Sequence, residues 1–220
     1  MNIEKYKQLI TELTPYGARL VAISKTKPVE DILQLYNTGH RIFGENKVQE
    51  LVSKYEALPK DIAWHLIGHL QTNKVKYVAP FVSLIQSVDS LKLLQEIDKQ
   101  AAKNNRIINC LLQVYIASEE TKFGLDETEL ETLLSSSEYR KLQNIRICGL
   151  MGMATNTDDE TQIENEFANL KRIFGSIQAR YFTHAPYFCE LSMGMSSDYH
   201  LALKHGATLV RVGSILFGSR

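Results

Sequence analysis

A chain of 220 residues, 44% hydrophobic and 23% charged, is long enough to bury one large core and reads as globular. Its 25 basic side chains balance 25 acidic ones, which excludes a long-range field for nucleic acid or an anionic membrane; any anion must be met by a local site. The N-terminus lacks a signal-peptide core, no apolar run approaches the ~20 residues of a membrane span, and Cys110, Cys148 and Cys189 sit apart in apolar runs as buried reduced thiols do, implying a cytoplasmic protein.

Ile3, Tyr6, Ile10 and Leu13 recur at helical spacing ahead of Pro15 and Gly17, which predicts a lead-in helix over residues 3–13. Eight short apolar runs follow, at residues 20–24, 41–44, 63–67, 81–88, 108–115, 145–151, 187–193 and 208–212. Several are continuous rather than alternating, as in strands covered on both faces of a parallel sheet. Helical patterns separate them. Ser90 is placed to cap a helix reaching about Asn104, and Asp126 with Glu129 spells a capping box before Leu130, Leu133 and Leu134. Thr157 or Asp158 precedes the stripe Ile163, Phe167, Leu170, Phe174 and Ile177. Strand and helix alternating eight times is the order of a (β/α)8 TIM barrel, a fold with a lower limit near 200 residues, so one barrel takes up residues 1–220 as a single domain. An open doubly wound sheet is the rival, because element order does not show closure; no G-x-G-x-x-G follows the first strand to favour it.

In such a barrel function lies where the strands end at their carboxyl side. The first run ends in Ser24-Lys25-Thr26-Lys27-Pro28, the second in Gly44-Glu45-Asn46, and the third in Gly68-His69-Leu70-Gln71. The fifth leads into Lys122-Phe123-Gly124, the seventh into Gly194-Met195-Ser196-Ser197-Asp198, and the eighth into Gly213-Ser214. Low dielectric and the neighbouring Lys27 are expected to push the Lys25 amine below its ordinary pKa, which would suit attack on an aldehyde. Taken alone, the residues favour an ordinary surface lysine at a loop start. The last two loops are the usual phosphate site of the fold, and Ser196, Gly213 and Ser214 offer hydroxyl and backbone donors, although glycine and serine are also common turn residues. His65 and His69 flank a strand end without a third ligand, so His65 reads as a hydrogen-bonded core histidine rather than a metal ligand.

Read in order, Ala22-Ile23-Ser24-Lys25-Thr26-Lys27-Pro28, Phe43-Gly44-Glu45-Asn46 with Gln49-Glu50, and Trp64-His65-Leu66-Ile67-Gly68 with Leu70-Gln71-Thr72-Asn73-Lys74 resemble the pyridoxal phosphate homeostasis protein family. Lys122-Phe123-Gly124, Gly149-Leu150-Met151, Leu191-Ser192-Met193-Gly194-Met195-Ser196 and Val210-Arg211-Val212-Gly213-Ser214-Ile215-Leu216-Phe217-Gly218 continue the series, so the resemblance covers the chain from residue 20 to its end. It implies a TIM barrel of the alanine racemase N-terminal type and pyridoxal 5′-phosphate held as an aldimine on Lys25. It also implies that Ser196, Gly213 and Ser214 grip the phosphate, that Arg211 faces the pyridine nitrogen, and that Asn46, His65 and Met193 line the site. Two departures are Ser214, where threonine is common, and Gly152, where a larger residue is more usual and whose smallness would open space near the ring.

The same resemblance implies a role in vitamin B6 balance. An arginine opposite the pyridine nitrogen stays protonated and leaves the ring a weak electron sink. The chain ends at Arg220, without the second β domain that completes a two-base site in the resembled racemases. The expectation is therefore a non-catalytic holder of the cofactor, monomeric, with pyridoxal-phosphate-dependent apo-enzymes as candidate recipients and neither nucleic acid nor membrane as partner. Two other readings stay open: a weak racemase or lyase using the same cofactor, and a lysine-dependent aldolase acting on a sugar phosphate without it.

Overall fold

The computed structural model describes residues 1–118 and 123–218, so Lys122 lies outside the described residues. Helix α1 (Ile3–Leu13) leads into β1 (Arg19–Ile23), α2 (Val29–Tyr36), β2 (Ile42–Glu45), α3 (Val48–Ala57), β3 (Ala63–Leu66), α4 (Val75–Val78), β4 (Leu84–Val88) and α5 (Leu91–Lys103). The second half runs β5 (Ile108–Val114), α6 (Glu127–Ser135), β6 (Ile145–Gly152), α7 (Glu160–Tyr181), β7 (Glu190–Met195), α8 (Tyr199–Lys204), β8 (Leu209–Val212) and α9 (Ser214–Phe217). Every strand pairs in parallel with its neighbour in sequence, and β8 returns to β1 with Arg19 opposite Leu209 and Val21 opposite Arg211. That last pairing closes the barrel and excludes the open sheet.

Local chemistry sets the helix ends. Ser90 accepts a hydrogen bond from Leu93 N, and both arms of the Asp126–Glu129 capping box are made. Helix α7 is capped by Asp159, later than Thr157 or Asp158, and the Thr157 hydroxyl oxygen accepts from Asp159 N instead. Two strands, β4 and β7, begin three residues later than their apolar runs. Phe81 stacks on Tyr55 at 3.8 Å before β4 begins, and Phe188 stacks on Phe182 at 4.2 Å before β7 begins. These aromatic rings seal the space beneath the helices, so their apolarity is used outside the strands.

Two apolar layers result. The larger lies between strands and helices and holds Phe43, Trp64, Leu66, Ile85, Leu112, Phe167 and Met193. The smaller fills the barrel itself with Val21, Ile23, Leu84, Leu111, Cys148, Met151 and Leu209. Cys110 and Cys148 are buried and burial pushes both thiols up, whereas Cys189 is exposed, contrary to the reading of all three as buried. Among the described residues no helix is long and apolar enough to cross a membrane.

Two glycines give opposite expectations. A Cβ on Gly149, at φ +153°, would lie 1.8 Å from the Glu190 carbonyl oxygen, where β6 meets β7. Gly149→Ala is expected to lower stability in urea unfolding by at least about 2 kcal/mol. Gly175, exposed within α7 with nothing near its missing Cβ, should on mutation to alanine raise stability by about 0.5–1 kcal/mol.

Candidate functional site

Side chains alternate along a strand, so Val21 and Ile23 pointing into the barrel carry Lys25 inward at the end of β1. By the same count Asn46 follows Gly44 inward at the end of β2. Lys25 and Asn46 open onto a cavity of about 470 Å³ at the carboxyl mouth, completed by Ile23, Ile67, Met153, Met195, Ser196, Ser197, Arg211, Gly213, Ser214 and Ile215. That volume falls within the ~300–1,000 Å³ usual for small-molecule sites. Six of the eight sequence-predicted residues therefore meet in one place: Lys25, Asn46, Ser196, Arg211, Gly213 and Ser214.

The other two are elsewhere. Met193 is fully buried in the outer layer between β7 and the helices, and the methionines that line the mouth are Met153 and Met195. His65 lies inside the barrel but is not among the lining residues; its Nδ1 accepts from Gln86 Nε2 at 2.9 Å. Gly152 does not open the mouth either. Its missing Cβ would meet Leu170 and Ile116, on the α7 side of the wall, while its carbonyl oxygen accepts from Arg211.

Beneath the mouth a buried polar chain fixes Arg211. The guanidinium donates to Ser192 Oγ at 2.7 Å and to Gly152 O at 2.9 Å, and Ser192 Oγ donates onward to Gln86 Oε1 at 2.6 Å. A hydroxyl has one proton, so this order makes Gln86 present its amide N–H to His65, which must keep Nδ1 as an acceptor. Burial accordingly pulls His65 down to about 3, holding it neutral, and lowers Arg211 to about 10, which leaves the arginine charged near neutrality. Sequence reasoning missed Gln86 and Ser192. The available signal was a polar residue inside an otherwise apolar strand.

The loops after β7 and β8 are tied together, since Gly213 N donates to Ser196 Oγ at 3.3 Å. Buried Asp198 accepts from Met195 N at 2.5 Å and so shapes the turn that carries Ser196. A Cβ on Gly213 would stand 2.9 Å from Ile23 O, so only glycine lets the β8 loop lie this close to β1. The first N–H groups of α9, those of Ser214 and Ile215, precede any intrahelical bond and lie on the cavity wall.

Behind the wall, Ser24 and Glu45 point outward and meet α3. Ser24 Oγ donates to Glu45 Oε1 at 2.6 Å. The Lys54 ammonium, 5% exposed, donates to Glu45 Oε1, Glu50 Oε1 and Ser24 O at 2.6–2.7 Å. Glu50 Oε1 also accepts from Thr26 N at 2.6 Å. Thr26 has φ +64°, and Lys27 N donates to Ser24 O, so Lys25 is displayed on a tight turn whose left-handed residue is not glycine. Such a backbone costs about 1 kcal/mol and persists only where its surroundings hold it.

The alanine racemase N-terminal domain family matches residues 2–220. The pyridoxal phosphate homeostasis protein of Aquifex aeolicus is 42% identical over 205 residues, covering 92% of this chain and 87% of that one. Among solved structures, PipY of Synechococcus elongatus is 36% identical and covers 98% of this chain and 99% of its own, with a TM-score of 0.90 for the form without PLP and 0.87 for the form with PLP bound. Alanine racemase from Bartonella henselae, at 20% identity and a TM-score of 0.74, shares the fold; this chain covers 57% of it.

The neutral imidazoles make stability depend on pH. His65 is held near 3 and His40 near 4 by burial, both below the ordinary value of 6.5. The unfolded chain takes up these protons first, so the histidine contribution to stability is flat above about pH 7.5 and falls as pH drops towards 4, by up to about 1.4 kcal/mol per pH unit for each histidine. Urea unfolding across that range should show the slope, and His65→Gln should remove its share.

Proposed function

The chain belongs to the pyridoxal phosphate homeostasis protein family, and from that membership we propose that it holds pyridoxal 5′-phosphate in the mouth cavity, covalently through Lys25, as a carrier rather than a catalyst. One observation carries the reading: a single cavity gathers an amine, a guanidinium and two hydroxyl-bearing loops. When bound, the cofactor supplies an aldehyde and an electron-withdrawing heteroaromatic ring. Lys25 Nζ would form the bond to the aldehyde carbon, and its two amine protons would leave with the aldehyde oxygen as water. Ser196, Ser214 and the first N–H groups of α9 are donors suited to a phosphate dianion, and Arg211 is a fixed donor suited to an unprotonated ring nitrogen. Asn46 Oδ1, buried on the same wall without a hydrogen-bond partner, is the kind of polar atom that a ring substituent would satisfy.

Two features favour carriage over turnover. Arg211 keeps its proton near neutrality, so it does not protonate the ring as an acid partner would. Among the described residues lining the cavity, Lys25 and Arg211 are the titratable groups, which leaves Lys25 without a second base for two-sided proton transfer. Residues 1–220 would act as one domain, passing the cofactor to apo-enzymes that require it.

Borohydride reduction of the loaded protein followed by peptide mapping is expected to place one phosphopyridoxyl group on Lys25 and none in Lys25→Ala. Label on Lys27 alone, or on no lysine, would overturn the reading. Ser196→Ala should weaken retention about ten- to a hundredfold, in line with one lost hydrogen bond to a charged group, with thermal unfolding little changed. Exchange of an amino acid's α-hydrogen by the loaded protein would instead favour a racemase.

A further inference from the structure

Buried Lys54 and Glu45, with half-buried Glu50, form a charge cluster on the far side of the wall from the cavity, and none of them lines it. Their contacts are nevertheless centred on Lys25. Lys54 Nζ holds Ser24 O, in the peptide unit that precedes Lys25, and Glu50 Oε1 holds Thr26 N, in the peptide unit that follows it. Lys54 and Glu50 are bonded to each other at 2.6 Å, so a single ion pair grips the backbone on both sides of the amine-bearing residue. Glu45 Oε1 anchors that pair to β2, and through Ser24 Oγ to the end of β1. The turn so held contains Thr26 in the left-handed region, a conformation that the free chain rarely adopts.

We infer that the Glu50–Lys54 pair is a positioning device that presets the Lys25 turn for condensation with the aldehyde, without touching the ligand. The inference rests on the pyridoxal 5′-phosphate reading above and adds to it a division of labour. The phosphate loops and Arg211 set how well the ring and its anionic tail are held, whereas the clamp sets how readily the amine meets the carbonyl carbon. The two contributions separate with a ligand that has the ring and the phosphate but no aldehyde.

Glu50→Ala is the variant of choice. It removes the acceptor of Thr26 N yet leaves Lys54 paired with Glu45, so no buried charge is stranded. Glu50→Gln, which keeps an oxygen for Thr26 N and Lys54, is the rescue. Each protein is titrated with pyridoxal 5′-phosphate, read as borohydride-fixed label on Lys25, and with pyridoxine 5′-phosphate, the alcohol that cannot condense, read by calorimetry.

In Glu50→Ala the concentration giving half-maximal label should rise about tenfold while the alcohol binds within about twofold of the native chain, and Glu50→Gln should recover most of the labelling. Parallel weakening for both ligands would mean a merely structural role and would overturn the clamp. Undiminished labelling in Glu50→Ala would overturn it too. A native chain that binds neither ligand would sink the functional reading and the clamp with it, whereas a native chain that labels on Lys25 beside an unaffected Glu50→Ala would sink the clamp alone.

Discussion

In a closed barrel a strand side chain has two destinations, the interior or the layer beneath the helices, and the alternation between them organises this protein's mouth. At the end of β1 it sends Ser24 outward and Lys25 inward; at the end of β2 it sends Glu45 outward and Asn46 inward. A slip of one residue in either strand would exchange the pairs, placing a carboxylate in the cavity and the amine against α3. The register of Ala22 with Phe43 and of Ile23 with Gly44 prevents that slip. Glycine at position 44 contributes as well, since a Cβ there would sit 2.7 Å from Ile23 Cδ1.

The outward-facing groups are expensive to bury and are therefore densely bonded. Lys54 satisfies its three donors with three oxygens, and Glu45, pushed up by burial, is opposed by Lys54 and Ser24. The inward-facing groups follow the same rule by other means: His65, Gln86, Ser192 and Arg211 form a chain of hydrogen bonds in which each group has one allowed role. Two polar systems thus lie on opposite sides of one wall. One fixes the turn that bears an amine and the other fixes a cation beneath it.

Much of this architecture was legible because its determinants are local. Ser90, Asp126 and Glu129 announce helix starts by their own hydrogen-bonding chemistry, and the eight apolar runs announce strands. Closure was not legible, because it depends on the pairing of β8 with β1, which are distant in sequence. Positions near strand ends were legible only while the alternation ran unbroken. Gly194, at φ +89°, changes the phase of β7, so Met193 faces the helices while Met195 reaches the cavity. Gly149 sits beside a register shift between β5 and β6, and Gly152 beyond it faces α7. Backbone irregularities of this kind are set by packing that no residue pattern displays. The clamp behind Lys25 was invisible for a different reason: Glu45, Glu50 and Lys54 read as ordinary charges until α3 is folded back over the strand ends.

The manner in which Arg211 is held has an electrical consequence. Its hydrogen-bond partners, a hydroxyl and a peptide carbonyl, are both uncharged, so its positive charge is solvated without being cancelled in direct contact. The carboxylate that acts on it, Asp198, accepts from the backbone of its own turn and offsets the guanidinium from a distance. The floor of the well therefore carries a cation whose counter-charge stands off at a distance, in surroundings where a low dielectric weakens interactions less than water would. A ligand that enters the well meets a charge already held in position rather than one that must swing into reach.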